Sequence, residues 1–584
     1  MGRVFEAHRE TFASTVLVGL EDSAHPTRKE IMIAVRASLL ISGLLAMAFL
    51  DEPTTAPKPP SAGARDDRNA QAAPGKEDKP KEGAPKKHRG KFTISKETTY
   101  VTGPLDKDGY IDYAAALNER LSRGVTPENN ANVLIWMAIG PRPEGKEVAS
   151  EYFKLMGMEP PPEKGEYFID QGDYIKHHLK VDLESKEANQ FYKQVGQCTK
   201  KPWSPKEHPN VASWLAANDK IATLVVDATK RPQYYSPMVP PKTEEGPGGL
   251  INTLLPGVMK CRGLAYLLVV RAMFRANQGQ HDEAWQDLLA CHRLGRLIER
   301  GAAAIEALVG IAIEGAAIWG EKDFLGRIAL KTTEIRGFLE DLQKLPPIPE
   351  LADHVDLGER FIQLDLIIMA DRHGIPKDHG LLEVLGAEFI LNGIDWDPAF
   401  RNINRWYDRM VKITRTRDRA SSQREWEKFN ADLKALKKKM DSGEVAKKIA
   451  KNIVEGEDFA KEKGEGVGDI LIVLTAPAIQ KVHDAHDRAK QYNDNLHLAF
   501  ALELYRHEHK GYPEKLEALA PKYLKEIPID FFSGKPLIYH SSTGGYTLYS
   551  VGVNGMDDGG QGFDDDPQGD DIVIRMPMPE LPGK

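Results

Sequence analysis

Asp557, Asp558, Asp564, Asp565, Asp566, Asp570 and Asp571 crowd into the stretch between positions 557 and 571, interleaved with glycine and glutamine. Carboxylates packed this closely repel one another unless a cation or water screens them, and Ca2+ takes about six to eight oxygens from flexible loops. The spacing is not that of an EF-hand. Asp564-x-Asp566 runs on into Gln568-Gly569, and no glutamate stands at the twelfth position. The stretch is therefore expected to hold Ca2+, with a solvated acidic turn that aids solubility as the plainer alternative.

Other residues with chemical potential are sparse. His483 and His486 lie about one helical turn apart beside Asp484 and Asp487. Such a pair can hold a metal, but no third ligand is evident and surface positions are expected. His177, His178, His373, His379, His507 and His509 are scattered over polar segments. Glu306 and Glu314 sit in a small-residue helical stretch as half-buried carboxylates with a rim or capping role, or else as parts of a site assembled from distant residues. Cys198, Cys261 and Cys291 form no CxxC; they read as small buried hydrophobes, with a Cys261–Cys291 pair as the alternative. No GxSxG, HExxH, Walker loop or post-strand GxGxxG occurs.

The elements that must position these residues are mostly helices. Tyr110–Arg123 and Pro127–Ile139 read as short helices, the second with Thr126 as N-cap. Between Leu254 and Leu325, one helix ends at Gly279 and a second is capped by Asp282, a pair that looks like a single tetratricopeptide-type hairpin. Gly301–Trp319 carries Glu306 and Glu314 and is expected in a water-soluble core. Val355–Ala370 and Leu381–Leu391 follow as helices. Trp406–Ile453 reads as a long polar helix or helix pair whose charges alternate in sign, as a solvated face does. The net charge of −8 leaves no field that would draw nucleic acid.

An apolar run, Ala37–Leu50, follows Arg28, Lys29 and Arg36 and ends near Ala46-Met47-Ala48, the small-x-small pattern of a cleavable signal. Met32 is the expected translation start. Residues 51–95 are poor in aliphatic side chains and read as a disordered linker. The chain is expected to be exported to the periplasm or beyond. The alternative is an uncleaved N-terminal segment anchored in the inner membrane, which would then be the one membrane contact.

The C-terminal part is more specific. Ile470–Tyr505 reads as one long helix; Gly511 stops it, and Pro513 opens a short helix through Leu519. Leu537–Tyr539 and Tyr546–Val551 pair as strands, with Ile572–Arg575 as a third. Ala476-Pro477 within the helix, Ala501–Tyr505, Gly511-Tyr512-Pro513, Ile527–Asp530, Gly545–Gly552 and Asp571-Ile572 follow the order found in one family. In these features the region resembles the major pseudopilin of type II secretion systems. The whole arrangement is similar to large exported proteins of planctomycete bacteria. The resemblance implies a calcium-binding loop, with Asn554, Asp558, Asp564, Asp566 and Asp571 as ligands. Because the helix lies far downstream and only its first part is apolar, the module is read as a pilin-like head reused as a domain.

Together these readings predict a mainly α fold, an irregular helical body with a tetratricopeptide-like hairpin, plus a C-terminal α+β pilin-like domain. The boundaries fall at 1–50 for the signal region, 51–95 for the linker, 96–345 for a helical domain, 346–468 for a charged helical segment and 469–584 for the pseudopilin-like domain. The expected function is that of a non-catalytic binding or scaffold protein of the cell envelope, with a protein partner. An exported hydrolase and a secretion-associated subunit are the alternatives.

Overall fold

A computed structural model describes residues 90–143, 145, 148–243, 246–253, 255–373, 393–441, 459–542, 544–563 and 565–579. The expected signal, the linker as far as residue 89, the expected helix Leu381–Leu391, the end of the charged segment beyond 441 and Asp564 lie outside the described residues.

The chain begins with helices α1 (Tyr113–Leu121), α2 (Ala131–Ile139), α3 (Ser150–Met156), α4 (Gln171–Tyr174), α5 (Lys186–Cys198), α6 (Pro209–Ala217) and α7 (Asp219–Ala228). A two-residue antiparallel pair follows, β1 (Lys242–Thr243) with β2 (Gly246–Pro247). The central helices are α8 (Val258–Asn277), α9 (His281–Ile298), α10 (Ala304–Arg327) and α11 (Thr332–Gln343). Next come α12 (Arg360–His373), entered through a wide turn over His354–Glu359, then α13 (Asp397–Thr414), α14 (Arg419–Asp441) and α15 (Phe459–His509). The chain ends in a three-stranded antiparallel sheet, β3 (Ile538–Ser542), β4 (Gly545–Ser550) and β5 (Ile572–Met576), in the order β3-β4-β5.

Several expected boundaries move. The second helix starts at Ala131 rather than Pro127. Asn130 is its N-cap, accepting from Asn132 N at 3.1 Å, while Thr126 Oγ1 accepts from Asn129 N in the turn before it. Arg231 explains the shift, because its Nη1 donates to the carbonyls of both Pro127 and Asn130 and fixes that turn as non-helical. Gln280, not Asp282, precedes the first turn of α9; Asp282 lies inside that turn, where a carboxylate suits the helix dipole. Gly279, at φ 74°, makes the reversal between α8 and α9, so the helical hairpin is present. Pro513 opens no full helix; a single 3-10 turn occupies Leu516–Leu519. The charged segment is a helix pair broken at 415–418.

Two hydrophobic cores hold these elements. In the first, α8, α9 and α10 pack on one another, and Trp285 stacks on Phe338 at 4.5 Å and meets Phe500 of α15 at 5.4 Å. The sheet joins this core through Tyr546, Leu548, Ile574 and Met576. The second gathers Phe361, Phe400, Tyr407, Trp426, Phe429 and Ile472. Phe92 already belongs to it, packed on Phe400 at 4.9 Å, so folding starts before residue 96. Cys198, Cys261 and Cys291 are all buried and free, as small apolar residues would be. No helix among the described residues is long and apolar enough to cross a membrane.

Candidate metal centre

The acidic stretch is the connection from β4 to β5. Asp530, buried beneath its start, accepts from Ser550 Oγ at 2.8 Å, from Phe532 N at 2.9 Å and from Val551 N at 3.1 Å. The loop then turns at Gly552, whose φ is 68° and where a Cβ would stand 2.8 Å from Asp570 Oδ1. Only glycine suits both the angle and the approach.

Within the loop, Asp558, Asp570 and Asp571 each offer a carboxylate oxygen, all within 4.8 Å of one another. Each carboxylate is fastened by the loop's own backbone. Asp558 Oδ2 accepts from Asp570 N at 3.0 Å, Asp570 Oδ2 from Asn554 N at 3.0 Å, and Asp571 Oδ2 from Gly560 N at 2.7 Å. The other oxygens of Asp570 and Asp571, both Oδ1, are buried and have no hydrogen-bond partner among the described residues. Asp571 is only 2% exposed. A buried unpartnered carboxylate oxygen costs free energy unless something supplies positive charge, so the donor set fits a hard, oxygen-seeking cation. Burial, and then the neighbouring carboxylates of Asp558 and Asp557, push the Asp571 carboxyl up to about 6, and burial raises Asp570 too.

Of the expected ligands, the structure brings Asp558 and Asp571 together and places Asn554 beside them, its Nδ2 3.4 Å from Asp558 Oδ2. Asp566 is exposed and outside the group of three. Asp564 lies outside the described residues. Asp570 was not foreseen. Adjacent residues usually point to opposite sides, yet Asp570 and Asp571 both offer an oxygen to the group, with Gly552 lying close against Asp570. Asp565 serves another purpose: it forms a two-pronged ion pair with Arg575 of β5.

His483 and His486, expected at the surface, are each 4% exposed. Asp484, Asp487 and His483 also come within 4.8 Å of one another. That second group already holds a cation of its own. Arg419 Nη1 reaches Asp487 at 3.0 Å, its Nη2 reaches Asp484 at 3.1 Å, and Trp426 Nε1 donates to His483 Nδ1 at 3.3 Å. Burial, followed by Arg419, lowers His483 to about 3, which keeps its ring neutral.

Glu306 and Glu314 are fully buried rather than half-buried. Glu306 caps α10, its Oε2 accepting from Ala303 N at 3.1 Å. Glu314 belongs to a network that composition did not reveal. Its Oε1 accepts from Arg296 Nε at 2.6 Å and faces His292 Nδ1 at 3.3 Å, while Glu321 Oε2 lies 2.8 Å from His292 Nε2. Burial alone would lower His292, but the two glutamates outweigh it and raise the ring to about 9. A sequence signal for this network exists in two Gly-x3-Glu repeats, Gly295–Glu299 and Gly310–Glu314, on the facing helices α9 and α10.

Compared with known proteins, the chain matches no family model, no curated protein and no solved structure.

Proposed function

We propose that this chain is an exported binding or scaffold protein of the cell envelope whose C-terminal unit is held in shape by calcium. The observation that carries the reading is the pair of buried, unpartnered oxygens, Asp570 Oδ1 and Asp571 Oδ1, beside Asp558. Asn554 lies beside them on the same loop, its Nδ2 toward Asp558 and its Oδ1 accepting from Met556 N. The non-catalytic part of the reading is supported by the fate of Glu306 and Glu314. One closes a helix end from full burial, and the other is neutralised by Arg296 and His292. The order of one long helix followed by an antiparallel three-stranded sheet supports the pseudopilin-like reading of the C-terminal region. A tagged copy used as bait for secretin and inner-membrane platform proteins tests the secretion-associated version of that reading.

Calcium itself is tested by melting the full chain in millimolar Ca2+ and in excess chelator. Saturating a site at about a hundred times its Kd stabilises the native state by about 2.7 kcal/mol. A rise of a few degrees is expected, and it should vanish in Asp571→Asn. An unchanged melting temperature removes the proposal.

A further inference from the structure

The two ends of the C-terminal sheet differ in character. At one end, the loop from β4 to β5 carries the Asp558–Asp570–Asp571 cluster, and the turn before β3 lies against it. Asp530 ties the two together, since its carboxylate accepts from Ser550 Oγ and Val551 N, and Gly552 follows in contact with Asp570. The bridge between Ile529 and Pro536 and the pairing of Ile538 with Tyr549 and of Ser550 with Ile572 place both loops at this one end.

Ile529 at 58% and Met556 at 59% are the most exposed large apolar side chains among the described residues, and both lie on these two loops. Phe563, at 38%, is on the same loop as Met556. The others, Met137, Leu155, Met259 and Trp319, are exposed singly on four different helices of the body. Single exposed hydrophobes need no explanation, but three on the loops of one small sheet, interleaved with carboxylates, call for a partner.

The charge pattern defines that partner. Asp557, Asp558, Asp565, Asp566, Asp570 and Asp571 outnumber the cations near them, which are Arg575, already paired with Asp565, Lys322 and Arg488 from the helices, and exposed Lys535 on the turn before β3. Alone, this end repels an anionic surface. A divalent cation held by three carboxylates still seeks further oxygens, since Ca2+ takes about six to eight, and lipid phosphates supply them. The acidic cluster does not stand alone as evidence, because Asp571 Oδ1 is buried, unpartnered and within the cluster.

We propose that this end of the sheet docks on an anionic phospholipid surface, with the bound cation bridging the loop carboxylates to lipid phosphates and Ile529, Met556 and Phe563 entering the interfacial layer. The inference rests on the calcium reading above and assigns that site a partner. It is distinct from any contact made by an N-terminal segment. Apolar side chains that enter the headgroup boundary add to electrostatic attraction, and neither alone gives firm binding.

The test is co-sedimentation of the full chain with vesicles of phosphatidylcholine containing a third phosphatidylglycerol, and with pure phosphatidylcholine, in millimolar Ca2+ or chelator. Melting of the same samples runs in parallel. The protein is expected to pellet only with the anionic vesicles in Ca2+. The double variant Met556→Ser, Phe563→Ser should lose about tenfold or more in vesicle affinity while keeping the calcium-induced rise in melting temperature. Calcium stabilisation without pelleting overturns the docking surface and leaves the calcium site standing. Equal pelleting in chelator overturns the cation bridge, and equal pelleting by the double variant overturns the apolar contact. Inorganic phosphate that competes fully with vesicles shows recognition of free phosphate and also overturns the proposal. The absence of any calcium response in melting fails the earlier reading instead.

Discussion

His292 is gripped at both ring nitrogens by carboxylates from α10, Glu314 on one side and Glu321 on the other, and all three side chains are fully buried. Arg296 adds a second positive charge to Glu314, and the His497 imidazole lies close enough to feel both. A ring raised from 6.5 to about 9 binds its proton more tightly in the folded than in the unfolded chain. Its stabilising effect is therefore complete below about pH 6.5 and lost as pH rises through about 9, an effect on the order of 3 kcal/mol. Denaturant unfolding between pH 6 and 10 should show this alkaline loss, and His292→Leu should reduce the slope between about pH 6.5 and 9 while lowering stability by about 3–5 kcal/mol at neutral pH. A variant with the parent's slope refutes the assignment. The sequence singles out Glu314 but not its partners, because a histidine 22 residues before one glutamate and 29 before another carries no signal until the facing helix is known. In the acidic loop the residue types were legible and the membership was not. Asp558 and Asp571 converge as expected, while Asp570 joins them, a membership that local pattern does not encode.

Helices α9 and α10 cross where Gly295 meets Glu314 and Gly310 meets Glu299. A Cβ on Gly295 would lie 2.7 Å from Glu314 Cγ, and one on Gly310 would strike Glu299 and come within 2.6 Å of the Gly295 carbonyl oxygen. Alanine in a helix interior normally gains about 0.5–1 kcal/mol over glycine. At position 310 that gain is outweighed, because the obstruction includes backbone that cannot swing away, and Gly310→Ala should cost about 1–3 kcal/mol or more. Gly315, one turn further along α10, has nothing within 4 Å of the same construction, so Gly315→Ala should stabilise by about 0.5–1 kcal/mol. Paired denaturant titrations decide the matter; equal effects from the two substitutions would rule out the close crossing. Elements themselves were largely readable: all three strands of the sheet and the hairpin turned by Gly279 stand where periodicity and turn residues put them, and the long C-terminal helix is present, though it begins at Phe459 rather than Ile470 and so crosses the expected boundary at 469. Boundaries failed where a distant side chain decided them, as Arg231 does for the turn ahead of α2.

At the scale of the whole molecule, α15 is the common member of both cores. Leu471, Ile472, Ala476 and Ile479 from its first part lie in the second core, and Leu496, Leu498, Phe500 and Leu502 from its later part lie in the first. Pro477 falls within the first of these stretches, between Ala476 and Ile479, removing one backbone donor without ending the helix, because packing on both sides of it compensates. Buried amides then lock the sheet to the same helix: Gln491 Oε1 accepts from Phe531 N at 2.7 Å, and Asn495 Nδ2 donates to Ile572 O at 2.8 Å. No core can therefore lose α15 without exposing apolar surface in the other, and the two should open together. Hydrogen exchange in rising denaturant should find α9 of the first core and α13 of the second losing protection at one midpoint. Asn495→Ala leaves the Ile572 carbonyl without its donor, at a cost of about 1–3 kcal/mol. Although α13 lies in the other core, its midpoint should fall with that of α9. Loss of protection in α13 well before α9, or a shift in α9 alone, would mean that α15 joins two independent units end to end.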